Sequence, residues 1–141
     1  MKLTAVFAVS LAALAVSACA PRDTVHYYSI DEALKSPEAK NVLNPNIKLY
    51  FGKPAPGKVI NAGAVSNRKT NNLNKTDEEG CRWAFLSTVK QFQDRAVAKG
   101  AKKVGNIISF YKKVPYSSTT QYECHAGRSI AGVALKGDIV R

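Results

Sequence analysis

The longest helical pattern in the chain is TDEEGCRWAFLSTVKQFQDRAVAKG, residues 76–100. Thr76 followed three residues later by Glu79 is the capping-box pattern of a helix N-terminus, and the acidic residues between them suit its positive end. Gly100 is typical of a helix C-terminus, where a left-handed backbone conformation is needed. We therefore expect a single long helix over about residues 77–99.

One apolar stripe runs along this helix. At about 100° per residue, six side chains fall on the same face. They are Cys81, Phe85, Thr88, Val89, Phe92 and Ala96. This face is predicted to pack on a sheet, which places Cys81 within reach of a strand behind the helix. Trp83 falls on the other, polar side, where it either marks an interface or is covered by another segment.

Five further segments carry the apolar, β-branched and aromatic residues typical of strands. They are residues 47–51, 59–65, 104–111, 119–125 and 129–140. Polar loops are expected at 67–75 and 112–118. Strands that surround one long helix predict an α+β fold, with a small sheet of about four to five strands packed on that helix.

The segment before the first strand is predicted to be a tether. Residues 20–46 contain Pro21, Pro37 and Pro45, mixed polar residues and little periodicity. Such a segment is extended or carries one short helix, here near residues 30–40. We therefore expect a tether over residues 19–46, followed by the α+β domain over residues 47–141.

Lys2 precedes an apolar run over residues 3–15. That run is shorter than the roughly 20 residues of a membrane-spanning helix and suits a signal peptide. It ends in the letters VSAC at residues 16–19, which resemble the bacterial lipobox. The pattern predicts a lipoprotein signal peptide over residues 1–18 and acylation of Cys19; an ordinary secretory signal is the alternative. Ala20 after the cysteine resembles the Gram-negative signal for sorting to the outer membrane.

The three cysteines of the chain have two expected roles if the protein lies outside the cytoplasm. With Cys19 assigned to lipid, Cys81 and Cys124 remain as an even pair, for which a disulfide is the default in an oxidising compartment. A metal or redox pair is the alternative. The chain has no C-x-x-C motif, and His125 would point away from Cys124 if both lie on one strand. We therefore expect a structural disulfide and no metal site.

The predicted domain is strongly basic. Residues 19–47 hold three basic and four acidic side chains, whereas residues 48–141 hold seventeen basic and six acidic ones. A basic domain attracts polyanions, which behind a lipobox means acidic envelope proteins or anionic glycolipid, not nucleic acid. A solvated basic surface that maintains solubility is the alternative. Candidate partner contacts are Trp83, Lys90, Lys102, Lys103, Lys112 and Lys113.

One segment resembles a phosphate-binding loop but lacks its chemistry. The letters GKPAPGKV at residues 52–59 match most of G-x-x-x-x-G-K-[ST]. That loop holds phosphates with backbone N–H groups, and Pro54 and Pro56 have none. Val59 replaces the hydroxyl that would hold magnesium. Nucleotide binding is therefore not expected.

The sequence also contains no motif that is typical of an enzyme active site. The two histidines fall in the predicted tether and beside a cysteine, and no serine lies in a G-x-S-x-G nucleophile elbow. The carboxylates are few and scattered. We expect no catalytic residues, no cofactor and no enzymatic activity.

The C-terminal half resembles a known family. The letters AVAKGA at residues 96–101 and the strand at 104–109 resemble the A-x-x-x-G-A-N-A-V passage of YbjQ-type domains and of RcsF-like stress-sensor lipoproteins. Residues 122–124 and 132–135 resemble the cysteine-containing hairpin and the G-S-A-L strand of the RcsF-like proteins. The resemblance covers residues 59–140 and implies an α+β domain with one disulfide.

The chain departs from this family at two points. Lys102-Lys103 replaces Asn-Ala in the turn, and the second cysteine pair of RcsF-like proteins is missing. Our functional expectation is an outer-membrane lipoprotein that acts as a non-enzymatic interaction or envelope-stress and integrity module. A small-ligand or metal-binding periplasmic module and a purely structural envelope protein are the alternatives.

Overall fold

A computed structural model describes residues 22–141 of the chain. The predicted signal peptide and the acylation of Cys19 lie outside the described residues. The elements in order are β1 (Thr24–Ser29), α1 (Ile30–Lys35), α2 (Pro37–Val42), β2 (Lys48–Phe51), β3 (Val59–Asn71), α3 (Asp77–Ala98), β4 (Lys103–Ser109), a 3₁₀ turn (Tyr111–Lys113), β5 (Gln121–Ala126) and β6 (Ile130–Val140). None of the described helices is long and apolar enough to cross a bilayer.

The strands form one curled sheet in the order β1-β5-β6-β4-β2, and β3 pairs with the other edge of β6. All pairs are antiparallel except β2 with β4. β6 therefore lies at the centre of the sheet. The edge that does not pair with β3 is shared by β5, where His125 pairs with Gly132, and by β4, where Lys103 pairs with Val140. The predicted α+β fold is confirmed, with six strands instead of about four to five.

The long helix has the predicted ends. The Thr76 hydroxyl oxygen accepts a hydrogen bond from the Glu79 N–H at 3.1 Å. At the other end, Gly100 has a φ of +68°, and the Ala101 N–H donates to the Ala96 carbonyl at 2.8 Å. Both ends are therefore set by local sequence, as the capping pattern predicts.

The predicted stripe of α3 is the centre of the core. All six of its side chains are buried. The Phe85 ring stacks on the Tyr122 ring of β5, with their centroids 4.1 Å apart. Cys81 and Cys124 are fully buried and form a disulfide that joins α3 to β5, with Cα atoms 5.9 Å apart. The predicted disulfide is confirmed.

The predicted tether is wrong for residues 24–42, which belong to the folded domain. β1 pairs antiparallel with β5, with His26 opposite Cys124. The turn after α2 is held on α3 by the Gln93 amide, whose Oε1 accepts from the Asn44 N–H at 2.8 Å and whose Nε2 donates to the Asn44 carbonyl at 3.0 Å. Pro37 starts helix α2, where a proline is favoured, instead of marking a linker.

The polar loop predicted at residues 67–75 is wrong in its first half, because β3 continues through Asn71. β3 is an edge strand, and most of its side chains are exposed or half-buried, so its polar residues remain in contact with water. Two hydroxyls that face α3 are satisfied by helix carbonyls: Ser66 donates to Thr88 at 2.8 Å, and Thr70 donates to Gly80 at 3.0 Å. Polar composition therefore does not prevent the strand from forming here.

Candidate functional site

α3 covers one face of the sheet, and the opposite face, which we call the outer face, carries the candidate site. Because side chains alternate along a strand, the buried Cys124 places its neighbours on the outer face. The outer face contains Val25, Tyr27, Lys69, Glu123, His125 and Gly132, with Phe110 and Tyr111 beside them.

Aromatic rings and cations are stacked on the outer face. The Tyr111 and His125 rings are nearly parallel, with centroids 3.5 Å apart. The Lys112 ammonium lies 5.9 Å from the centre of the Tyr111 ring, and the Lys136 ammonium lies 5.0 Å from that of Phe110. Attraction between cations and ring faces keeps these charges close to the sheet. The outer face is therefore both apolar and cationic.

A pocket of about 360 Å³ opens on the outer face above Gly132. The missing side chain creates its floor: a Cβ added at Gly132 would lie 3.5 Å from Lys69 Cγ and 3.6 Å from Tyr111 Cε2. Arg22, Asp23, Lys69, Tyr111, His125 and Arg128 are among its lining residues. Three cationic side chains and one carboxylate thus surround an opening whose floor is the backbone of β6 at Gly132.

The two carboxylates near the pocket, Asp23 and Glu123, both contact the ring of His125. Its Nδ1 lies 3.3 Å from an Asp23 oxygen, and its Nε2 lies 3.0 Å from a Glu123 oxygen. Lys69 and Arg128 form no ion pair with any residue in the part of the chain that is described. These two exposed side chains are therefore the cations that can meet a ligand.

Arg22 fixes the start of the domain at the rim of the pocket. Its guanidinium donates two hydrogen bonds to the Asp77 carboxylate, at 2.8 and 2.9 Å, and one to the Gly127 carbonyl at 3.0 Å. Asn72 Nδ2 donates to the same two residues, at 3.1 and 2.8 Å. These hydrogen bonds, chiefly those from Arg22, lower the pKa of Asp77 from 3.8 to about 2. Hydrogen bonds from Arg22 thus hold the first described residues against the start of α3 and the β5–β6 turn.

We expect Asp77→Asn to lower the free energy of unfolding by about 1–2 kcal/mol at neutral pH, since it removes a charged hydrogen-bond acceptor that is only partly exposed. Because folding lowers the pKa of Asp77, its contribution is present above about pH 4 and is lost as the pH falls toward about 2. The difference between variant and wild type should therefore shrink over that interval in denaturant unfolding.

The matched control for this experiment is Asp94→Asn, which removes a carboxylate from an exposed pair with Lys90 on the same helix. Its effect should stay within about 0.5 kcal/mol at every pH. A loss for Asp77→Asn that is the same at pH 2 and pH 7 would contradict the assignment.

The predicted partner contacts do not form one cluster. Trp83 is half-buried on α3, and Lys90 pairs with Asp94 at 3.1 Å on the same helix. Lys102 and Lys103 lie before and at the start of β4, where the Lys103 ammonium donates to the Pro56 carbonyl. Lys112 and Lys113 lie in the 3₁₀ turn that follows Phe110, and Lys112 borders the pocket through Tyr111.

Sequence reasoning missed the residues that line the pocket. The sequence predicts Lys69 in a loop and Arg22 in the tether, and neither prediction places the residue near the β5–β6 turn, which carries Arg128. The alternation of Glu123, Cys124 and His125 was the available signal, because it puts the histidine on the face opposite the disulfide.

No set of three or more His, Cys, Asp or Glu side chains among residues 22–141 is arranged to hold a metal ion. The segment that resembles a phosphate-binding loop connects β2 to β3 and is followed by a strand, whereas the nucleotide-binding motif is followed by a helix. The pocket above Gly132 is therefore the strongest candidate site in the described domain.

No protein-family model matches the chain, and neither a curated protein nor a solved structure matches it. The resemblance to RcsF-like and YbjQ-type domains stays a prediction from its motifs.

Proposed function

We propose that the protein is an outer-membrane-anchored lipoprotein whose basic domain is a non-enzymatic interaction module for an anionic partner of the envelope. A role in monitoring envelope stress or integrity fits such a module. The observation that carries the proposal is the outer face, where a cationic pocket opens next to the point at which the chain enters the domain.

The short distance between the predicted anchor and the domain supports this location. Only Ala20 and Pro21 separate Cys19 from Arg22, and three residue steps span at most about 11 Å. With lipid on Cys19, the domain is held against the membrane surface instead of reaching away from it on a long tether. The partner must therefore be at or very near that surface.

The charge of the domain supports an anionic partner. Residues 22–141 carry twenty Lys and Arg side chains against ten Asp and Glu. Their net charge is therefore 20 − 10 = +10 with the histidines neutral. Long-range attraction then favours association with polyanions, and it weakens as the salt concentration rises.

The geometry of the histidines supports a binding role over catalysis. His26 Nε2 lies 2.8 Å from the Thr24 hydroxyl and 3.2 Å from the Asp77 carboxylate. A hydroxyl–histidine–carboxylate triad needs different ring nitrogens for its two partners, and here one nitrogen meets both. His125 meets two carboxylates and no nucleophile among the described residues.

Photo-crosslinking in intact cells tests the proposal. Val25 on the outer face and Val97 on α3 are a matched pair, with 49% and 56% of their surface exposed. A photoreactive residue at position 25 should crosslink to an envelope component well above background, whereas one at position 97 should not. Absence of any crosslink at position 25, or crosslinks at position 97 alone, would contradict the proposed face.

The variant Cys19→Ala provides the control for location. It should become soluble or remain unprocessed, and it should lose the crosslinks at position 25, because the anchor is what brings the domain to its partner. If this variant partitions into detergent as the wild type does, the anchor assignment is wrong.

A further inference from the structure

We propose that the pocket above Gly132 binds the phosphate of an anionic lipid headgroup in the membrane to which the chain is anchored. This inference rests on the proposed function and names the ligand of the same face. Three features of the pocket support it: its charges, its shape and its position beside Arg22 and Asp23, the first described residues.

The charges match a phosphate group. Lys69 and Arg128 line the pocket without an ion-pair partner in the described part of the chain. Arg22 adds a third cation, which already pairs with Asp77. The single lining carboxylate, Asp23, lies against the imidazole of His125. Arg and Lys side chains are the common protein ligands of phosphate, and charge-assisted hydrogen bonds to it are strong.

The shape admits a phosphate together with the group that it esterifies. A volume of about 360 Å³ falls at the lower end of the range for small-ligand pockets. The floor is the backbone at Gly132, and one wall is the Tyr111 ring stacked on His125. A phosphate can lie between the cations while a glycerol or sugar carbon contacts the aromatic wall.

The position of the pocket favours a lipid over a soluble phosphate. Arg22 and Asp23, the first described residues, lie on its rim, and the Cα atom of Arg22 is within about 11 Å of that of Cys19, the predicted acylation site. Two large apolar side chains are exposed at this end of the molecule, where the Asn72 N–H donates to the Ser129 carbonyl: Leu73 at 53% and Ile130, which lines the pocket, at 52%. Cations with exposed apolar side chains are typical of a surface that contacts lipid headgroups.

The test uses the full acylated protein purified in a neutral detergent, with binding measured by calorimetry and by the shift of the melting temperature. The probes are dihexanoyl phosphatidic acid, dihexanoyl phosphatidylcholine and inorganic phosphate. Phosphatidic acid should bind and raise the melting temperature. Inorganic phosphate should bind at least about tenfold more weakly, because it lacks the contacts to the aromatic wall.

Two double variants with the same change of charge separate a site from general attraction. Lys69→Ala with Arg128→Ala should weaken phosphatidic acid binding by about tenfold or more, since each removes a charged contact. Lys58→Ala with Arg141→Ala should change it little. These two exposed residues lie beside Val140 at the end of β6, eight residues or about 26 Å along the strand from Gly132.

The variant Gly132→Val tests the pocket without removing a charge. A Cβ at this position makes ordinary contacts with Lys69 and Tyr111, and the melting temperature of the unliganded variant checks that the fold tolerates the two methyl groups beyond it. Binding of phosphatidic acid should be lost. Retained binding, equal weakening by both double variants, or equal affinity for inorganic phosphate would overturn the inference. Loss of all lipid binding alongside crosslinks at position 25 would overturn it and leave the proposed function intact.

Discussion

The double variant Cys81→Ala, Cys124→Ala should lose about 3–4 kcal/mol of unfolding free energy, one of the two largest effects that we expect in this protein. The bridge closes a sequence separation of 43 residues, and a cross-link of that size strongly restricts the unfolded chain. Both cysteines are fully buried and join the second turn of α3 to β5. The bond thus holds the beginning of α3 against β5.

Denaturant unfolding with and without reductant measures this effect. Reduction should lower the stability of the wild type to that of the double variant, which should itself not respond to the reductant. Alanine is preferred to serine because it adds no buried hydroxyl group. If the double variant and the oxidised wild type unfold at the same denaturant concentration, the bridge contributes nothing and the expectation is wrong.

Phe85→Ala should lower the free energy of unfolding by about 3–5 kcal/mol, the usual range for deleting a buried phenylalanine side chain. Phe85 is fully buried, stacks on Tyr122 at 4.1 Å and lies 5.8 Å from the Phe51 ring. Removal of its ring leaves a cavity where α3, β5 and β2 meet. The surrounding backbone belongs to a helix and a sheet, so it cannot collapse far to fill the space.

Val97→Ala on the same helix is the control, since Val97 is 56% exposed and its truncation should change stability by less than about 0.5 kcal/mol. Urea unfolding followed by circular dichroism compares the two variants. A loss below about 1 kcal/mol for Phe85→Ala would show that the aromatic cluster is not the centre of the core.

The parts of this protein that were predictable from sequence are those in which local chemistry and periodicity agree. The helix between Thr76 and Gly100 has a capping residue, an apolar stripe and a glycine stop, and each acts within one or two turns of backbone. The disulfide followed from the count of cysteines and from the turn of α3 on which Cys81 falls. Neither inference needed to know which strands are neighbours.

The first part of the domain was not predictable in this way. Thr24–Ser29 contains residues that favour strands, but it is only six residues long. It becomes a strand because β5 offers it a free edge and because His26 and Tyr28 face the core side. The same holds for the second half of β3, which pairs with β6 despite its polar composition. Pairing energy comes from a partner that is distant in the chain, so a local pattern cannot report it.

The candidate site depends most strongly on long-range pairing. Lys69 lies opposite Gly132 on β3, His125 lies opposite it on β5, and Arg22 reaches the pocket through contacts with Asp77. The amino-acid sequence defined the helix, the core stripe, the cysteine pair and the basic character of the domain. The sheet register and the hydrogen bonds of Arg22 bring the pocket residues together, because residues up to 110 positions apart become neighbours only when the strands pair.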